Sequence, residues 1–140
     1  MRVYLDASAI LPLFVTDAHS AAMQAWSVGR VFLISDFGAL EVAAAISRSY
    51  RMCELDELAA RRALGKFDDW RMESTIQHAT LAHDFKESER LIRNFHLKLS
   101  APDALHLAIA MIDGVPMITF DQRLAAAARS VEHPVVMPGA

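Results

Sequence analysis

A single cysteine, Cys53, stands among 140 residues, which excludes a disulfide framework and a cysteine-based zinc site. No apolar run reaches the roughly 18 residues that a membrane-spanning helix needs. The start does not read as a signal peptide either, because Asp6 falls where the apolar region of one should lie. Positive charge is also short: 14 Lys and Arg face 17 Asp and Glu, for a net charge of -3 and a pI near 6.0. Such a balance excludes a chain that coats nucleic acid through bulk charge. It leaves room for an enzyme that grips a short stretch of backbone through a local patch and a metal ion. No repeat, low-complexity tract or linker interrupts the pattern, and the length suits one domain over residues 1–140 with a real core. The expectation is a cytoplasmic protein.

What the chain has in quantity is apolar residues, 54% of the total, with a mean hydropathy of +0.22. That excess, much of it in Ala-rich helices, suggests that part of the surface is covered by a partner. Strand-like and helix-like segments alternate. Arg2–Leu5 reads as a short strand and Ala7–Phe14 as a helix. Asp17–Val28 is a second helix with Asp17 as its cap, and Val31–Ser35 a second strand. A long helix begins at Asp36 and runs to about Arg51; Leu55–Glu73 is helical with charged faces. Thr75–Leu81 is a candidate third strand, His83–Phe95 an amphipathic helix and Ala101–Ile112 an almost wholly apolar one. Val115–Phe120 reads as a strand, Gln122–Ser130 as a helix, and Pro134–Met137 as a last short strand. Strands joined by helical crossovers imply a parallel sheet covered on both faces, a three-layer α/β/α sandwich.

The acids are placed unusually within that pattern. Asp6 ends the first strand, Asp36 follows the second and Asp121 follows Val115–Phe120, so all three fall on the edge where open parallel sheets bind ligands. Asp103 sits in the first turn of the apolar helix. Glu41 stands alone among Ala39, Leu40, Val42, Ala43, Ala44, Ala45 and Ile46. Each acid has a local explanation: Asp6, Asp36 and Asp121 as helix N-caps, Asp103 as one arm of a capping box with Ser100, and Glu41 as a side chain reaching solvent. Caps do not explain Glu41 or the convergence on one edge. Clustered carboxylates repel, which raises their pKa values or demands a cation. Oxygen ligands without Cys or His favour Mg²⁺ or Mn²⁺ over zinc, and such an ion suits metal-assisted phosphodiester cleavage.

The stretches LDASAIL, ALEVAAAI, APDALHLAIA and PMITFDQRLAAAA, in that order and spacing, resemble the PIN-domain nucleases, and especially the VapC-type toxins of bacterial toxin–antitoxin pairs. The likeness runs over nearly the whole chain, and the block from Asp103 to Asp121 is its most specific part. It implies a PIN-like α/β/α fold and a Mg²⁺-dependent endoribonuclease acting on RNA. It makes Asp6, Glu41, Asp103 and Asp121 the catalytic and metal-holding acids, flanked by the hydroxyls of Ser8 and Thr119. Homodimers silenced by a cognate antitoxin are the usual partners.

Other residues have plainer readings. His106, one turn beyond Asp103, reads as a packed core histidine rather than a general base. Asp68 and Asp69 belong to a solvated helix face, Asp113-Gly114 to a turn, and Trp26 and Trp70 to packing. Arg48, Arg51, Arg61, Arg62, Arg90 and Arg93 are candidates for phosphate contact. Two competing functions fit the same residues less well. An aspartate-nucleophile phosphatase would use Asp6 but usually wants a second acid where Ser8 stands. A catalytically idle fold that binds RNA or a protein would not need all four acids.

Overall fold

The computed structural model describes Met1–Ala140. Strand β1 (Arg2–Leu5) lies at the centre of the sheet, and its alternation accounts for both layers around it. Val3 and Leu5 enter one apolar core and Tyr4 the other, as the two-residue period of a strand requires. β2 (Val31–Ser35) repeats this, with Phe32 and Ile34 in the first core and Leu33 in the second. β3 (Thr75–His78), β4 (Met117–Ile118) and β5 (Val135–Val136) complete a parallel five-stranded sheet in the order β3-β2-β1-β4-β5. Tyr4 is flanked by Leu33 on one side and Met117 on the other. The chain builds outward from β1 to β3, then returns to β1's other side to lay down β4 and β5. The strand order therefore reverses beside β1, and ligands of open parallel sheets bind at the carboxyl edge of such a switch point.

Helices α1 (Ala7–Ile10), α2 (Ser20–Ser27), α3 (Asp36–Arg51) and α4 (Glu57–Ser74) cover the first face. On the second lie α5 (Ala82–Ile92), α6 (Ala101–Asp113) and α7 (Gln122–Ser130). Every residue of α6 from Ala104 to Ala110 is buried. Each fully buried Leu or Ile in these two cores is worth about 1.5–3 kcal/mol of transfer free energy, so the sheet is held from both sides. No helix is long and apolar enough to cross a membrane.

Several boundaries depart from the sequence reading, each for a local reason. The helix expected over Ala7–Phe14 stops at Ile10 and tightens to a 3₁₀ turn over Leu11–Leu13, because Pro12 has no N–H to continue the α ladder. Asp17 does not cap α2; its carboxylate takes the His19 N–H at 2.7 Å in the preceding turn, and the helix begins at Ser20. Nor does Asp36 cap α3. Ser35 does, its hydroxyl accepting from Gly38 N at 2.9 Å, while Asp36 sits exposed in the first turn, 3.3 Å from Arg71. β3 ends before Leu81, whose N–H turns to Asp84 at 2.9 Å. Only Met117–Ile118 of the expected Val115–Phe120 forms regular strand, since Pro116 cannot donate to the ladder. Gly114, at φ 65, ends α6 in the left-handed conformation, where a residue without Cβ is least strained. Trp70 packs in the core against Phe14, Phe32 and Phe67.

Candidate active site

Asp6 leaves the end of β1 buried, which is costly for a carboxylate unless its oxygens are satisfied. Thr119, just past β4, donates its hydroxyl to Asp6 Oδ2 at 2.6 Å, and Ser8 donates to Oδ1 at 2.7 Å. The Ala9 N–H reaches the same Oδ1 at 3.1 Å, so Asp6 also caps α1. Ser8 and Thr119 lie 3.2 Å apart and receive the backbone N–H groups of Phe120 and Asp121 at 2.9 and 3.0 Å. Two hydroxyls thus tie the ends of β1 and β4 together around one carboxylate. Burial still wins: it pushes the Asp6 carboxyl above its usual range, against the lowering effects of His106, Thr119 and Ser8.

Asp121 caps α7, its Oδ1 accepting from Arg123 N at 2.8 Å and Leu124 N at 3.0 Å. Asp103 behaves differently. Ser100 caps α6 by accepting the Asp103 N–H at 3.4 Å, but the return arm of the capping box is not made and the Asp103 carboxylate accepts no backbone N–H. The carboxyl is pushed up first by partial burial, then by the charge of Asp121, with Asp6 adding to it; the nearby Ser100 hydroxyl and His106 lower it by less. The charges of Asp121, from α7, and Asp6, from β1, therefore bear on Asp103 of α6 at the switch point. The capping reading holds for Asp6 and Asp121 and fails for Asp103.

Glu41 joins through a path the sequence did not disclose. His106 is buried on α6 one turn past Asp103, and its Nε2–H donates to Glu41 on α3. Its Nδ1 meets the Tyr4 hydroxyl at 2.6 Å, which in turn meets Ser35 Oγ at 2.9 Å. Burial raises the Tyr4 phenol well above its ordinary value, so it stays a neutral hydroxyl in this chain of contacts. His106 is a core residue as expected, yet also the anchor of Glu41. The one available signal was its position three residues after Asp103, on the same helix face; Tyr4 and Ser35 gave none.

No three of these acidic or histidine side chains stand together as a finished cage for a metal ion. Their chemistry nonetheless suits a hard divalent cation: all four acids offer carboxylate oxygen, and mutual repulsion already weighs on Asp103. Of the arginines singled out, Arg61, Arg90 and Arg93 are engaged on their own helices with Glu57, Glu87 and Glu89.

The PIN domain family model matches residues 3–130. The chain belongs to the PIN domain family. No curated protein matches it by sequence. Among solved structures, VapC20 of Mycobacterium tuberculosis, described as a sarcin-ricin loop cleaving toxin, is 21% identical with a TM-score of 0.69, the match covering 89% of this chain and 94% of that one. PAE2754 of Pyrobaculum aerophilum is 21% identical at TM-score 0.68, covering 96% and 83%. VapBC2 of Rickettsia felis, solved bound to a DNA fragment from its promoter, is 11% identical at TM-score 0.69, covering 97% and 98%. At such identities the likeness is one of fold, and the PIN-like α/β/α architecture is the shared feature.

Proposed function

We propose that this PIN-domain protein is a Mg²⁺- or Mn²⁺-dependent endoribonuclease, the toxin of a toxin–antitoxin pair. The observation that carries the reading is the Asp103 carboxyl, left without a backbone partner and pushed up by burial, Asp121 and Asp6. A capping box would instead turn that carboxylate back onto the Ser100 N–H. Asp6, Asp103, Asp121 and Glu41 are the residues that would hold the ion. When bound, a divalent ion supplies activation of the attacking water and neutralisation of phosphate charge. The chain's own part is orientation. Ser8 and Thr119 hold both oxygens of Asp6 in place, and His106, braced by the Tyr4 hydroxyl on its other ring nitrogen, holds Glu41. The test is incubation of the purified protein with cellular RNA in Mg²⁺ and in EDTA, with the new ends mapped. Undiminished cleavage in excess EDTA sinks the metal requirement, and RNA binding without cleavage favours an idle binding fold.

Assembly belongs to the same reading. An apolar groove of about 330 Å³ opens beside the start of α6, lined by Phe37, Phe85, Ile92, Pro102 and Leu105. Leu40 and Phe85 are exposed. This supports a covered face, and we read the protein as a homodimer that also binds an antitoxin. The Klebsiella pneumoniae toxin–antitoxin complex, whose fold it shares at TM-score 0.63, is solved with such a partner. Light scattering that gives a monomer mass at every concentration contradicts the dimer.

A further inference from the structure

A hollow opens that none of the four acids lines. It is a groove of about 540 Å³ between α7 and the segment that leads into α6, lined by His96, Lys98, Arg123, Ala126, Ala127 and Ser130. Arg123, Ala126, Ala127 and Ser130 recur at the spacing of a single helix face, so the groove runs along α7 from the end that Asp121 caps. The small side chains of Ala126 and Ala127 leave space between that face and the 3₁₀ turn Phe95–Leu97, on which α7 packs. The groove has no acidic lining residue, in a chain where acids outnumber bases. The side chains of His96, Lys98 and Arg123 have no carboxylate partner and make no hydrogen bond, unlike Arg61 and Arg71 of α4 and Arg90 of α5.

We propose that this groove is a binding track for the phosphate backbone of single-stranded RNA, with Lys98 and Arg123 as its phosphate contacts and His96 as a further donor. The proposal rests on the nuclease reading and deepens it. A phosphodiester brings negative charge towards a cluster of carboxylates, and the strand flanking the cut must be held by cations that those carboxylates do not neutralise. Lys98 and Arg123 meet that condition. They are unpaired, they flank the site along the chain (Lys98 ahead of Asp103, Arg123 after Asp121), and they face one hollow. From Arg123 to Ser130 the α7 face extends roughly 10 Å, long enough to follow a strand beyond the scissile bond. None of the six arginines suggested by the sequence lines it.

The test compares wild type with the double variant Lys98→Gln/Arg123→Gln, and with Lys66→Gln, exposed on α4, as a remote control. Binding of a short fluorescent single-stranded RNA is read by anisotropy in EDTA over a range of salt, and cleavage kinetics are read in Mg²⁺. Loss of two phosphate contacts should lower the slope of log K against log salt by about 1.4, at about 0.7 per contact for a single strand. Affinity at low salt should fall roughly tenfold, and KM should rise with kcat held, since these residues bind the strand without touching the reacting atoms. Lys66→Gln should change neither, and all three proteins should melt alike. An unchanged slope and KM in the double variant overturns the groove and leaves the nuclease reading standing. Groove-dependent binding without any wild-type cleavage supports the groove and overturns the nuclease. A wild type that binds no RNA in EDTA overturns the groove.

Discussion

Asp84 and Asp113 lie on either side of His78, 2.8 Å from its Nε2 and 2.9 Å from its Nδ1. Asp84 also receives the Leu81 N–H at 2.9 Å as the chain enters α5. At the switch point the same residue types meet on other terms. Asp6 is held by hydroxyls, Asp121 by two backbone N–H groups, and Asp103 by no backbone group, while His106 turns to Glu41 and Tyr4. In the first cluster an imidazole is shared between carboxylates, which ties the end of β3 to α5 and α6. In the second, the charges of two carboxylates bear on a third, Asp103. A cluster closed from within is a staple. A cluster left open is a place for something else to bind.

The strongest way to break this contrast is to exchange what each cluster loses. Asp103→Asn removes a charge from the open cluster without removing a helix cap. Cleavage in Mg²⁺ should fall by about three orders of magnitude, the rate equivalent of several kcal/mol of electrostatic stabilisation, while the melting temperature in EDTA stays level or rises. Single-turnover cleavage and thermal melts on one preparation check both. An active Asp103→Asn variant with an unaltered melt would mean that the site is misplaced.

His78→Ala should do the reverse. It strands two carboxylates of which Asp84 is nearly inaccessible, 2% exposed; breaking a buried pair in this way costs about 3 kcal/mol or more. Urea titration should show that loss, with the cleavage rate per folded molecule retained. Equal damage to rate and stability would dissolve the distinction.

The two clusters were unequally legible in the sequence. The alternation of strands and helices, and the position of Asp6 and Asp121 after β1 and β4, follow from apolar patterning, which is local and repeats along the chain. Caps proved less readable. Ser35 and Asp36 are neighbours with equal claims on the helix start, and only the backbone angle decides for Ser35. Asp103 carries a motif that fits both a capping box and a site, and which one forms depends on Asp6 and Asp121 arriving from other elements. His106 was recognisable as buried but not as an anchor, because its partners Tyr4 and Glu41 lie far away in sequence. The pairing of His78 with Asp113 was hidden for the same reason: Asp113 sits in a turn motif that accounts for it locally. Lys98 and Arg123 gave no signal, since nothing in either neighbourhood marks them as sharing a groove.

Metal sharpens the contrast at somewhat smaller cost. An ion that binds only the folded protein stabilises it by about 2.7 kcal/mol at a hundredfold excess over Kd. Mg²⁺ should therefore raise the wild-type melting temperature, and that of His78→Ala by a similar amount, because its open cluster is intact. Asp103→Asn should respond less. Differential scanning fluorimetry across a Mg²⁺ series reads all three, and an equal response from Asp103→Asn would remove it from the ion's ligands.

The smallest effect expected is in the pH dependence of the metal-free protein, and its sign separates the open cluster from an ordinary set of surface acids. The Asp6 and Asp103 carboxyls are both raised above their usual 3.8, each chiefly by burial, and Asp103 further by Asp121. A carboxyl raised in the folded state binds its proton more tightly there than in the unfolded chain. Between the unfolded and folded values the native protein holds the extra proton, so stability from these groups falls as pH rises through that window. The penalty is complete above the folded value and absent below the unfolded one. Asp103→Asn keeps the shape and removes one contribution. The melting temperature of the variant relative to wild type, measured in EDTA, should thus climb from about pH 4 towards neutrality and then level off. Paired surface carboxylates predict the opposite, because their pKa values are lowered by folding and their removal hurts most at neutral pH. A difference that stays flat or shrinks as pH rises would show that Asp103 is not under repulsion, and the open cluster would lose the feature that distinguishes it from the staple at His78.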